Sequence, residues 1–258
     1  MAASLLADPL VVLLLLAFVP PLLYLAGLAR RHPGPTAGRA LVGFLYGATL
    51  SLAVLAVLYV LVTVALGHPV RAFQSFFADR NIGVAAEKDF VLVVVLAPML
   101  EELAKGFGVY LLGVRFASRR DGTFLGASVG LGFAAIETFT YLLAALQDGG
   151  SQLAGATLFG LLVLAGLRSL SSALVHPAAT GITGYGIARA RLSGRSAVVG
   201  ALPYYVFAVV LHGSYNYLVA YLPPQDIGGF TVELNLLAAL LLASVAWGGL
   251  KGALAARG

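Results

Sequence analysis

The sequence predicts an all-α polytopic membrane bundle of about seven transmembrane helices. Three observations predict it. Of 258 residues, 60% are hydrophobic and only 10% charged, with a mean hydropathy of +0.95, where a soluble chain carries about 25% charged residues. The apolar residues gather into stretches near the ~20 residues that a helix needs to cross a bilayer. The basic residues sit in short loops between those stretches, as membrane orientation requires. Lipid is therefore the solvent for most of this chain. The net charge of +5 is spread over loops rather than gathered into a patch, which argues against a nucleic-acid partner. With no cysteine, disulfides and thiolate chemistry are excluded.

The predicted spans are 10–29, 41–66, 90–114, 123–146, about 167–188, 197–222 and 231–250. The first has no Lys or Arg before it, while Arg30 and Arg31 follow it directly. That is the reverse of a cleavable signal and predicts an N-out anchor. Residues 69–86 place Val70, Phe73, Phe76 and Phe77 among polar neighbours, which predicts an amphipathic helix lying on the outer surface. Residues 151–190 are apolar for too long to be one span and too short for two. They are read as an interfacial segment near 153–166 followed by one crossing, and Arg168 as an interfacial residue that snorkels. Eleven of the sixteen basic residues fall in loops 30–40, 115–122 and 189–196 and in the tail, all on one side. The positive-inside rule makes that side the cytoplasm, giving an N-out/C-in integral protein of the plasma membrane. No repeat or linker divides the chain, so 1–258 is read as one membrane domain with a core over about 90–222.

Ionisable residues inside a bilayer are costly, about 2.5–3.5 kcal/mol each on the lenient insertion scale, and usually mark function. The third predicted span carries Glu101, Glu102 and Lys105, the fourth Glu137, the fifth His176, and the sixth His212 with Asn216. Glu101 lies 11 residues from the outer end of its span, and Glu137, His176 and His212 each lie 9 from theirs. At about 1.5 Å per residue these are roughly 13–17 Å deep, so four helices present ionisable groups at one level.

The spacings divide the labour. Lys105 reaches Glu101 at i+4 or Glu102 at i+3. Adjacent helical residues point about 100° apart, so the two glutamates cannot do the same job. Pro98 removes a backbone hydrogen bond one turn before them and is expected to bend the helix toward the cluster. His212 and Asn216 share a face, as do Phe133 and Glu137. Gly126, Gly130 and Gly132 permit close helix packing. Chemically this is a set for activating water against an acyl centre: a buried glutamate as general base, with histidine and asparagine as proton carriers or oxyanion donors. The favoured mechanism needs no cofactor. The same residues Glu101, Glu137, His176 and His212 could instead hold Zn²⁺ with a position left open for water. No His-Glu-x-x-His run is present.

In order, Glu101-Glu102-x-x-Lys105, Phe133-x-x-x-Glu137, His176 and His212-x-x-x-Asn216 resemble the motifs of PrsW-type intramembrane proteases, related to the CAAX prenyl protease and bacteriocin-processing superfamily. The resemblance covers roughly 98–216. It implies an endopeptidase acting on a membrane-anchored protein or peptide in the bilayer of a prokaryotic cell, an activity known in bacteria for anchored anti-sigma factors. It implies water activation by Glu101 or Glu102, assistance from Glu137 and His176, an oxyanion site at His212 and Asn216, and a supporting Lys105. One position departs: Thr138 stands where such proteins often carry asparagine. Two other classes fit the same buried residues. One is an ion- or proton-coupled transporter or channel, although the two matching broken halves typical of transporters are missing. The other is a b-type cytochrome with His176 and His212 as axial ligands.

Overall fold

The computed structural model describes residues 8–32, 37–80, 89–148, 155–223, 225–227 and 230–255. The elements are α1 (Pro9–Arg31), α2 (Ala37–Ala48), α3 (Leu50–Asp79), a π-helical turn (Val91–Leu96) leading into α4 (Ala97–Leu112), α5 (Arg119–Asp148), α6 (Gly155–Leu170), α7 (Ser172–Leu192), α8 (Ala197–Ala220), β1 (Gln225–Ile227), β2 (Phe230–Val232) and α9 (Leu234–Ala255). Among the described residues the regular structure is helical apart from the hairpin β1–β2, which pairs Gln225 with Val232 and Ile227 with Phe230. The hairpin takes up the start of the last predicted span, so α9 begins at Leu234.

Among the described residues, five helices are long and apolar enough to cross a membrane: Pro9–Arg30, Arg119–Asp148, Thr157–Leu192, Ala197–Ala220 and Leu234–Ala255. Gly38–Ala48 and Leu50–Ala65, bent by 42°, make a sixth if they act as one span. The predicted count of seven is not reached, and the segment that fails is 90–114. It is divided between a six-residue π turn and a 16-residue α-helix that carries three charges. Its polar groups are answered by neighbouring helices, so composition alone does not mark it as a span.

Two other predictions are corrected. Residues 69–79 form no separate surface helix; they continue α3, and 81–88 lie outside the described residues. The interfacial segment does not end at 166. α6 runs to Leu170, and the chain breaks at Ser171, where φ is −128° and ψ is −80°. The bend between α2 and α3 has a local cause. Thr49 Oγ1 donates to the Leu45 carbonyl at 2.6 Å and Ser51 Oγ to the Gly47 carbonyl at 2.5 Å, and such back-bonding bends helices.

α5 is the spine. Every residue from Asp121 to Ala135 is buried, and the helix packs on α7, α2 and α1. Close approach requires its glycines. A Cβ on Gly130 would overlap the backbone of His176 and Pro177, and one on Gly132 the Phe44 carbonyl. The basic loops meet at one end of the bundle. Arg39 donates to the Arg115 carbonyl at 2.7 Å, Arg191 to the carbonyls of Gly113 and Tyr110, and His32 lies 3.0 Å from Asp121.

Candidate active site

α4 enters the bundle through an irregular turn. Asp89 holds a left-handed φ of 63°, and the Gln74 side chain accepts from the Val91 amide at 3.0 Å. The turn is π-helical: the Ala97 N–H bonds Leu92, five residues back. Single π turns of this kind occur often at functional sites. Pro98 follows at the start of α4 instead of bending its middle, so the expected kink is replaced by a change of helical register. Beyond it the α4 backbone is held by tyrosines from two sides. Tyr205 of α8 donates to the Met99 carbonyl at 2.8 Å and Tyr46 of α2 to the Ala104 carbonyl at 3.0 Å.

This frame gives the adjacent glutamates different surroundings. Glu102 is fully buried. It accepts from Lys105 at 2.6 Å, from His212 Nδ1 at 3.0 Å and from the Thr180 hydroxyl at 3.0 Å. Glu101 points the other way, into a cavity of about 320 Å³ lined also by Glu137, Arg168, Ser172 and Asn216. Its Oε2 is buried yet has no hydrogen-bond partner, with His212 Nε2 at 3.7 Å and Lys105 Nζ at 3.9 Å. That separation is too long for a direct hydrogen bond, and a water seated beside the two atoms on the cavity side can contact both.

Lys105 is completely buried. It donates to His176 Nδ1 at 2.9 Å and stands 4.3 Å from the centre of the Phe133 ring. A charged lysine offers donors only, so the His176 proton lies on Nε2, facing Glu137 Oε2 at 2.9 Å. The His176 and His212 rings meet edge to face, 4.6 Å between centres. Rings in contact leave no room for a porphyrin between them, which removes the cytochrome reading.

The structure thus brings Glu101, Glu102, Lys105, Glu137, His176 and His212 into one contiguous group. Asn216, one turn beyond His212, lines the cavity and donates its amide to the Val93 carbonyl at 2.9 Å. Arg168 is relocated. Instead of snorkelling it turns inward, with its side chain 12% exposed, and pairs with Glu137. It also donates to the Thr138 and Ser172 hydroxyls, each at 3.2 Å, and stacks 4.0 Å over the Tyr141 ring. Thr138, the departure from the expected motif, is thereby one of the acceptors that fix this guanidinium. The sequence signal for Arg168 was its place eight residues before His176 in an otherwise apolar stretch. The break between α6 and α7 concealed it. Serine takes part in the same way: the Ser171 hydroxyl at the helix break lies 2.9 Å from that of Tyr215.

A family model described as "PrsW family intramembrane metalloprotease" matches residues 36–250. The chain belongs to the PrsW family. Membership places it among intramembrane proteases and makes it an integral membrane enzyme whose substrate is a protein or peptide. No curated protein and no solved structure matches the chain.

The family description implies a metal, and the residues can be tested for one. Donor atoms of Glu101, His176 and His212 lie within 4.8 Å of one another. Two histidines and one glutamate form a donor set that catalytic zinc uses, with a fourth position open to water. The partnerless oxygen of Glu101 suits a ligand, and Glu102 on His212 Nδ1 is the outer-shell carboxylate that orients a ligating imidazole. His176 would have to release Glu137 or Lys105. Glu137, predicted as a ligand, is outside the group, because Arg168, His176 and Ser172 already share its Oε2. The set fits a metal.

Proposed function

We propose that this PrsW-family protein hydrolyses peptide bonds of membrane-anchored proteins or peptides, with Glu101 activating the water. One observation carries the reading: of the three carboxylates in the group, two have a cation of their own and, among the described residues, the third does not. Lys105 answers Glu102 and Arg168 answers Glu137, while Glu101 Oε2 faces the cavity without a hydrogen-bond partner. A carboxylate that is already fully bonded cannot take a further proton readily; one left unsatisfied beside a cavity can.

With its Nδ1–H directed at Glu102, neutral His212 presents a lone pair at Nε2. A water on the cavity side of the Glu101–His212 pair would then give one proton to Glu101 and the other to His212, leaving its oxygen lone pair aimed outward. As that oxygen attacks the substrate carbonyl carbon, Glu101 takes the proton. It returns the proton to the amide nitrogen when the carbon–nitrogen bond breaks. Arg168, the cation in the cavity's lining, faces the developing oxyanion. His176 passes the position of Glu137 to the centre of the group. This departs from the oxyanion role expected of His212 and Asn216. If a divalent metal is bound, Glu101, His176 and His212 would hold it, and it would supply Lewis acidity toward water. The transporter reading draws no support from the family match.

By the distribution of basic loops, the cavity opens on the outer side and the C-terminus is cytoplasmic. The test is cleavage of a single-span peptide by the purified protein in lipid vesicles, with fragments identified by mass spectrometry. The wild type should cut and Glu101→Gln should not. Metal content and chelator response in the same preparation separate the glutamic from the metal-dependent form. Absence of fragments with and without added Zn²⁺ would remove the protease reading.

A further inference from the structure

The π turn ahead of α4 contains a missing hydrogen bond, and its replacement assigns a role to Asn216. Within that turn, the Ala97 N–H bonds the Leu92 carbonyl, five residues back. The next bond of the series would run from residue 98 to Val93. Residue 98 is proline and has no N–H to give. The Val93 carbonyl receives the Asn216 side-chain amide instead, at 2.9 Å from α8. The neighbouring Val94 carbonyl lies against Gly213, so closely that a Cβ there would stand 2.5 Å from it. Both contacts come from the His212–Asn216 turn, and both go to carbonyls beside the proline. A peptide carbonyl left without a donor in a dry interior costs about 1–3 kcal/mol, enough to favour a different register.

We infer that Asn216 is a positioning residue: it supplies the donor that Pro98 withholds, fixes the π turn, and thereby sets the rotation of α4 that points Glu101 into the cavity and Glu102 at His212. This deepens the proposed protease reading. It makes Pro98 and Asn216 a matched pair, 118 positions apart in the chain, rather than a bend and an oxyanion donor. Register matters because the two glutamates are adjacent. A register shift of one residue rotates α4 by about 100°, which puts one glutamate where the other stood and turns the other away.

The inference is tested by restoring the backbone donor. Asn216→Ala should lower kcat by about 100-fold or more with little change in KM, since a displacement of even about an ångström costs that much. Pro98→Ala restores an N–H at 98 and should leave cleavage within about fivefold of wild type. The double variant Pro98→Ala/Asn216→Ala should regain most of the lost kcat, because the backbone then holds itself. An Asn216 acting on the oxyanion would give no such rescue, and a double variant as slow as Asn216→Ala would overturn the inference. Hydrogen exchange of the full-length protein in detergent reads the same event without substrate. Amides 95–97 should exchange about tenfold faster or more in Asn216→Ala and return toward wild type in the double variant, and unchanged exchange in Asn216→Ala would overturn it. Because that measurement needs no cleavage, it stands or falls separately from the protease assignment.

Discussion

The two helices that deliver the carboxylates of the site are built on opposite plans. α5 is 30 residues long, buried continuously from Asp121 to Ala135, and closes on its neighbours through bare glycine backbone. Its one site residue, Glu137, lies beyond that stretch and is matched by Arg168. α4 is 16 residues long, begins in a π turn, and exposes Met99, Leu103 and Phe107 at 41–44%. It carries three charges within five positions and is held by side-chain bonds to its backbone carbonyls. A packed spine fixes geometry through sterics and tolerates little change in shape. A tethered helix fixes it through a few polar contacts, and those can be removed one at a time.

Changes at five positions would break or sharpen that contrast, from the largest effect to the smallest. Glu101→Gln should reduce cleavage about 1,000-fold or more, within the range of a general base, while the protein melts in detergent as wild type does. Activity within tenfold of wild type would take Glu101 out of water activation. Glu102→Gln, one position away, should act on the fold. It leaves Lys105 without its carboxylate, and breaking a buried pair costs about 3–5 kcal/mol. A melting temperature equal to that of Glu101→Gln would erase the distinction between the two glutamates. Arg168→Gln should lower kcat by about 10–100-fold, the range for a partner that orients another site residue, and Arg168→Lys should recover part of it; equal rates in both variants would show that the guanidinium geometry is immaterial. On the spine, Gly130→Ala should destabilise by about 1–3 kcal/mol through overpacking against His176. Phe107→Leu on the lipid-facing side of α4 should change neither melting nor cleavage.

Glu101, Glu102, Glu137, His176 and His212 were legible in the sequence because ionisable residues at a common depth in apolar segments have few other reasons to exist. Arg168 was not. An arginine near the end of an apolar stretch is indistinguishable in sequence from one that snorkels, and its direction depends on a helix break at Ser171 that carries no proline or glycine. The division of labour between Glu101 and Glu102 was legible only as a necessity: their directions must differ, but spacing does not say which faces the cavity.

What the sequence determined alone is the solvent, the helical class, the family and the list of polar residues. All of these follow from composition, period and motif order, which are local properties of the chain. Only the tertiary structure decided which polar groups answer one another. Lys105 could reach either glutamate, Arg168 either water or Glu137, and Asn216 either a substrate or the Val93 carbonyl. Each choice turns on contacts 30 to more than 100 residues apart in the chain: His176 for Lys105, Thr138 for Arg168 and Val93 for Asn216. The third predicted span, which composition does not mark as a crossing, belongs here too. Its Glu102 and Lys105 pair within α4, and His212, Thr180 and His176 from other helices complete their bonding. Burial among partners is a property of the assembled bundle, because a buried charge is tolerated only where it is paired and its remaining hydrogen bonds are filled.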